Sequence, residues 1–147
     1  MNALDSILKT HPHTDERLRS ARAHAAQALN DCAEICSVCA DACLWEKDPA
    51  MLRRCIIFNL ECADACRFAS RSILRLDEGA GTLLRPIVHA CLTAIQLCRD
   101  ECDSHAHHHH CRICAESCGE AMRVCNEFLG LINDTGVGTT PSLARDV

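Results

Sequence analysis

Helical periodicity dominates the pattern of apolar and polar positions along this chain. Within four clusters, neighbouring cysteines are separated by three, four or seven residues. At about 100° per residue, those steps return to the same side of an α-helix. The pattern therefore predicts four amphipathic helices whose cysteine-bearing faces share one core. Fourteen cysteines form these clusters: Cys32, Cys36, Cys39 and Cys43; Cys55, Cys62 and Cys66; Cys91, Cys98 and Cys102; Cys111, Cys114, Cys118 and Cys125.

Helix-breaking residues divide the chain into an N-terminal helical arm at 1–14, a bundle at 15–133 and a flexible C-terminal tail at 134–147. The bundle helices are predicted at about 15–46, 49–77, 83–105 and 109–133, with His11-Pro12, Pro49 and the glycines after 78 at their boundaries. Short connections make successive helices antiparallel. We therefore expect an all-α fold, an antiparallel up-down four-helix bundle with a short N-terminal helical arm and a cysteine-lined core.

The antiparallel order predicts two different ends of the bundle. At one end, Met51, His105 and His107 extend the cysteine faces, since each lies three or four residues from a terminal cysteine. Glu46 is expected to shape this entrance. The opposite end is expected to be closed by apolar residues: Ala25, Leu29, Ile73, Leu84, Ile87 and Ile132.

Net charge and hydropathy argue against several classes of function. The chain has 147 residues and a net charge of −5, which gives no general attraction to nucleic acid or anionic membranes. No run of 18 apolar residues is present, and Met1 to Lys9 has neither a basic segment nor a continuous apolar segment of a signal peptide. We therefore expect a cytosolic protein with reduced thiols rather than a disulfide framework.

Core thiols indicate binding of a soft metal ion. Thiolates favour Cu(I), zinc and iron–sulfur clusters. One monovalent ion per thiolate leaves the core neutral, whereas zinc in Cys₄ sites leaves excess negative charge and needs four converging ligands. Parallel rows supply pairs more readily, and the C-x3-C pairs are Cys32 with Cys36, Cys39 with Cys43, Cys62 with Cys66, Cys98 with Cys102, and Cys114 with Cys118. Four cysteines without such a partner must draw on other helices: Cys55, Cys91, Cys111 and Cys125.

Repeated C-x3-C spacing on four antiparallel helices, a histidine-bearing end and no visible export signal resemble the cytosolic copper storage proteins. The resemblance covers roughly residues 15 to 133. It implies a four-helix bundle whose core cysteines bind many Cu(I) ions, a homotetramer, and sequestration rather than catalysis. It also implies that the fourteen cysteines are the metal ligands, with His105, His107 and Met51 as candidates at the entrance. Copper ions and copper donor or acceptor proteins are the expected partners.

A second apolar stripe on the second bundle helix is formed by Ile57, Leu60 and Phe68, roughly opposite its cysteines. Either another copy of the chain or the N-terminal arm is expected to cover it.

Other functions remain open at this point. A zinc-buffering thiolate protein would saturate near one ion per two to four thiolates, and an iron–sulfur electron-transfer protein would absorb visible light. A redox sensor needs one exposed thiol of low pKa rather than fourteen buried ones. The C-x3-C-x2-C spacing of Cys32, Cys36 and Cys39 matches a radical-enzyme motif, but the chain is too short for the accompanying α/β barrel.

Overall fold

Four long helices form the body of the protein in the computed structural model, which describes residues 2–12, 15–75 and 80–134. The elements are α1 (Ala3–Thr10), α2 (Glu16–Leu44), a 3₁₀ turn (Pro49–Leu52), α3 (Arg53–Leu74), α4 (Ala80–Asp103) and α5 (His109–Asp134). α2 packs against α3 and α5, and α4 packs against the same two helices. The expected all-α bundle with a short N-terminal helix is confirmed.

Local sequence explains where the helices begin. The Asp15 carboxylate accepts a hydrogen bond from the backbone N–H of Arg17 at 3.0 Å and thereby caps α2. Asn2 caps α1 in the same way, accepting from the backbone N–H of Asp5 at 2.9 Å. Pro49 lies in the first turn after the α2–α3 connection, where a missing N–H costs no helical hydrogen bond. That turn is 3₁₀, so the α-helix begins at Arg53 rather than at residue 49.

Contacts at the two ends establish the antiparallel order. The sulfurs of Cys55 and Cys102 lie 3.6 Å apart, which brings the start of α3 to the end of α4. At the other end, the Ser70 hydroxyl donates to the carbonyl of Ala26 at 3.2 Å. Early α2 therefore lies beside late α3, as an up-down bundle requires.

The end remote from the histidines is closed by apolar side chains. All six residues expected there are buried: Ala25, Leu29, Ile73, Leu84, Ile87 and Ile132. Arg22 is buried beside them, and its Nη1 donates to the carbonyl oxygen of Ile73 at 2.7 Å. Because carbonyls in the last turn of a helix lack an intrahelical partner, this guanidinium caps the C-terminal end of α3.

The N-terminal helix packs against α2, where Leu8 is buried and Arg19 Nη1 lies 3.5 Å from Asp5 Oδ1. In the described part of the chain α1 does not reach α3, so the apolar stripe of α3 stays exposed, with Phe68 54% exposed. The tail expected at 134–147 falls outside the described residues from 135 onward. Within the described ranges, no helix combines the length and apolar character needed to cross a bilayer.

Candidate metal centre

The cysteine faces of α2, α3, α4 and α5 meet in the middle of the bundle. All fourteen cysteines are unpaired by disulfides and buried, and none is more than 2% exposed. This confirms the inward direction that helical phase predicted for every cluster. The core is therefore lined with free thiols in a volume from which bulk water is excluded.

Sulfur atoms approach one another both along and between helices. Three C-x3-C pairs have Sγ–Sγ distances of 3.9, 3.9 and 4.0 Å: Cys32–Cys36, Cys62–Cys66 and Cys98–Cys102. Three of the four cysteines without such a partner contact a sulfur of another helix instead: Cys55–Cys102 at 3.6 Å, Cys91–Cys66 at 3.8 Å and Cys111–Cys43 at 4.0 Å. With metal–sulfur bonds of about 2.3 Å, a single ion can bridge sulfurs at these separations.

The thiols form overlapping groups that run along the bundle. In each of four groups the sulfurs lie within 4.8 Å of one another: Cys32, Cys36, Cys62 and Cys118; Cys36, Cys98, Cys114 and Cys118; Cys39, Cys102 and Cys114; Cys39, Cys43, Cys55 and Cys111. Each group shares at least one sulfur with the next, so the array is continuous from the level of Cys32 to the histidine end.

Burial favours the protonated form of some thiols in this array. It raises the pKa of Cys125 to about 12, with a further increase from the neighbouring Cys91 and Cys32. Burial likewise raises the pKa of Cys43. In contrast, hydrogen bonds from Cys102 and Cys111 lower the pKa of Cys55. A metal ion that binds Cys43 or Cys125 must therefore displace the proton of that thiol.

Asn59 is a polar member of the core that the cysteine pattern alone did not identify. It is fully buried, and its Nδ2 donates to the backbone carbonyl of Cys55 at 2.9 Å. Its Oδ1 accepts from the thiols of Cys114 at 3.0 Å and Cys98 at 3.3 Å. Asn59 therefore joins α3, α4 and α5 through the middle of the thiol array.

A signal for Asn59 is present in the sequence. Residues 55, 59, 62 and 66 repeat the spacing of Cys32, Cys36, Cys39 and Cys43, so Asn59 occupies the position of a missing cysteine. Ile95, which is also fully buried, occupies the same position in α4 between Cys91 and Cys98. Comparing whole stripes rather than cysteines alone identifies both residues as core members.

His110 connects the thiols to the bundle end. Its Nδ1 lies 3.4 Å from the sulfur of Cys39, 3.5 Å from that of Cys111 and 4.0 Å from that of Cys43. Its Nε2 lies 3.0 Å from Oε1 of Glu46. Burial disfavours the charged imidazolium, but hydrogen bonds to Cys39 and Glu46 outweigh burial and raise the pKa of His110. The same contact with His110 lowers the pKa of Glu46.

Three side chains predicted at the entrance lie at its rim. Met51, His105 and His107 line an open depression of about 390 Å³ together with Glu46 and His108. Met51 is 71% exposed, and His105 Nε2 lies 3.3 Å from a carboxylate oxygen of Glu101.

In the described part of the chain, none of Met51, His105 and His107 comes within hydrogen-bonding distance of a cysteine sulfur. The helical phase that favoured His105 and His107 does not apply to them, because α4 ends at Asp103 and α5 begins at His109. Their roles as ligands stay predictions.

A groove between α2 and α5 also reaches the thiols. It has a volume of about 400 Å³ and is lined by Glu34, Ile35, Val38, Cys39, His110 and Ile113. Cys39 and His110 therefore face both the bundle interior and a lateral opening in its wall.

Comparison with known proteins identifies relatives of this chain. The family model described as copper storage protein matches residues 18–130. No curated protein matches the sequence significantly. The structure is similar to that of the Streptomyces lividans copper storage protein loaded with ten copper equivalents, with 35% sequence identity, a TM-score of 0.82 and coverage of 87% of this chain and 98% of that one.

Two further structures of the Streptomyces lividans protein show the same similarity. The cytosolic copper storage protein with five coppers is 38% identical, with a TM-score of 0.73 and coverage of 76% of this chain and 93% of that one. A variant of that protein in which one histidine is replaced by alanine is 37% identical, with a TM-score of 0.73 and coverage of 76% of this chain and 94% of that one. The buried thiol array and the extent of the family match lead to one conclusion: this chain belongs to the copper storage protein family, and its function is to hold copper rather than to catalyse a reaction.

Proposed function

We propose that this protein stores Cu(I) in the cytosol on its fourteen core thiols and admits the ions at the end of the bundle that carries His110 and Glu46. The observation that carries the proposal is the set of four overlapping sulfur groups. Shared sulfurs allow neighbouring ions to be bridged, which a set of separate sites would not. The relative that holds ten copper equivalents supports storage of many ions per chain.

Charge favours the monovalent ion. Each thiol that binds Cu(I) exchanges one proton for one positive charge, so the buried array stays neutral as it fills. Divalent ions on Cys₄ groups would leave each site with two negative charges in a core of low dielectric constant, at a considerable electrostatic cost. Soft thiolates also favour Cu(I) by their chemical character.

The geometry supports a route for filling. His110 Nδ1 can bind an incoming ion and lies within 4.0 Å of three thiols, those of Cys39, Cys43 and Cys111. From there the overlapping groups lead inward, and an ion can pass from sulfur to sulfur by forming one bond before breaking another. A copper donor protein is the expected source of the ions and an acceptor protein their destination.

The first experiment is an anaerobic Cu(I) titration of the reduced protein against a competing chelator. A plateau near or above ten ions per chain is expected, with loss of tight binding when cysteines of two neighbouring groups are replaced by serine. Serine is nearly isosteric, so circular dichroism should show the same helix content. A plateau of one to four ions, or tighter saturation by zinc at one ion per two to four thiols, would contradict the proposal and favour zinc buffering.

We also propose an oligomeric state for this protein. Ile57, Leu60 and Phe68 present an uncovered apolar stripe on α3, and we expect it to be buried between copies in a homotetramer. Light scattering of the wild type should give four times the chain mass, whereas Phe68→Glu should give smaller particles with unchanged copper capacity. A monodisperse wild-type monomer would refute this assembly.

A further inference from the structure

A second group of metal-binding side chains lies outside the thiol array. Glu46 follows α2, His108 directly precedes α5, and His110 is in the first turn of α5. Glu46 Oε1 lies 3.3 Å from His108 Nδ1 and 3.0 Å from His110 Nε2, and the three atoms lie within 4.8 Å of one another. In a tetrahedral zinc site with bonds of about 2.0–2.1 Å, ligand atoms are roughly 3.3 Å apart. The triad therefore has nearly the spacing that one small cation needs.

We propose that Glu46, His108 and His110 form a site for a divalent cation of the zinc class, distinct from the Cu(I) store. Two imidazoles and one carboxylate are a donor set found in zinc proteins. Cu(I) is softer and prefers the thiols just inside. All three side chains are half-buried, which leaves a position open for water as the fourth ligand.

A divalent ion bound at this site determines whether Nδ1 of His110 can ligate Cu(I). A neutral imidazole carries one N–H and one lone pair. When Nε2 binds the divalent ion, the proton lies on Nδ1, which faces the sulfurs of Cys39 and Cys111 at 3.4 and 3.5 Å. That nitrogen can then donate a hydrogen bond to a sulfur but cannot ligate Cu(I). A bound divalent ion should therefore slow copper uptake through His110 without changing the capacity of the core.

The chain offers variants that separate this site from the store. In the described residues, His108 does not contact a cysteine sulfur, so His108→Ala should keep the Cu(I) capacity of the wild type. His109 is exposed in the same histidine run and its Nδ1 faces Arg112 at 2.9 Å, so His109→Ala is a matched control.

Cobalt(II) is a suitable spectroscopic probe, added at one equivalent to the reduced protein without oxygen. Binding at the triad should give visible d–d bands without the intense near-ultraviolet charge transfer of a cobalt–thiolate bond. His108→Ala and Glu46→Gln should weaken binding more than about tenfold, since losing even a hydrogen-bond partner of a ligand costs 10–100-fold. His109→Ala should bind as the wild type does. Thiolate charge transfer at the first equivalent, or equal binding by wild type and His108→Ala, would overturn the proposal.

The rate of Cu(I) uptake tests whether a divalent ion bound at this site slows copper entry through His110. One equivalent of Zn²⁺ should slow Cu(I) uptake by the wild type and leave uptake by His108→Ala unchanged. Equal slowing in both proteins would show that zinc acts on the thiols and would refute the separate site. The number of Cu(I) ions bound at saturation is measured in the same samples. A low number would refute the storage proposal. An uptake rate that zinc does not change in the wild type would refute only the zinc site.

Discussion

The amide oxygen of Asn59 in α3 accepts a hydrogen bond from the thiol of Cys114 in α5 at 3.0 Å, across the centre of the bundle. An asparagine at this point is the one buried amide among the described core residues. Its Nδ2 is satisfied by the Cys55 carbonyl, so both ends of the side chain are used. Asn59 thus fixes the relative positions of helices whose thiols must meet.

Replacing Asn59 by alanine should destabilise the metal-free protein. The change removes the acceptor of two thiols and leaves a cavity, and losing buried hydrogen bonds of this kind costs about 1–3 kcal/mol. Urea unfolding of the reduced protein measures the loss. Asn30→Ala, at an exposed position of α2, is the control and should change the midpoint little. Equal midpoints for the two variants would show that Asn59 does not hold the helices together.

Removing the imidazole of His110 should slow copper uptake while leaving capacity unchanged. The fourteen thiols remain, but the ligand that links the outside to Cys39 and Cys111 is lost. We expect uptake to slow roughly tenfold, the order typical of disturbing a metal-positioning group. Stopped-flow mixing with a coloured Cu(I) complex measures the rate. A His110→Ala rate equal to that of His109→Ala would instead indicate that copper bypasses this imidazole.

Copper affinity should rise with pH through the neutral range. Burial holds the pKa of Cys125 at about 12, above that of a free thiol, and the neighbouring Cys91 and Cys32 raise it further. At pH 7 this group is a thiol, and each Cu(I) that binds one such sulfur releases one proton. The apparent dissociation constant should then increase up to about tenfold per proton for each unit by which the pH falls. Chelator competition at pH 6.5, 7.5 and 8.5 measures the slope, and a flat profile would contradict protonated thiols.

The same pKa shift has a consequence for stability. Because the folded-state pKa of Cys125 is raised, the neutral thiol contributes stability that is complete below the unfolded pKa and is lost as the pH rises toward 12. The metal-free protein should therefore become less stable in strong alkali, and copper loading should remove this effect at Cys125.

The stability of the closed end of the bundle should depend on Arg22. Its guanidinium donates to the Ile73 carbonyl at 2.7 Å, and burial lowers the pKa of Arg22. Arg22→Ala should cost about 1.5–3 kcal/mol of unfolding free energy, the range for hydrogen bonds to charged groups. Arg53→Ala, at an exposed position, should cost little. Copper capacity should be the same in both, because Arg22 lies beyond the thiol array; a reduced capacity in Arg22→Ala alone would contradict this separation.

The cysteine stripes could be predicted because helical phase is a local property. Steps of three, four and seven residues direct side chains to one face whatever the helix packs against, and all fourteen thiols are buried. Helical phase does not give side-chain direction beyond the ends of a helix. His105 and His107 lie in the turn between α4 and α5, whereas His110, inside α5, contacts three thiols.

The helices, their inward faces, their antiparallel order and the soft-metal character of the core follow from spacing, connection length and residue chemistry, which are all readable along the chain. The folded bundle was needed to show which sulfurs meet across helices, that Asn59 bonds to Cys114, and that Glu46 and His108 converge on His110. Those relationships depend on how the helices are rotated and offset against one another. Rotation and offset are set by packing of the whole bundle rather than by any one segment.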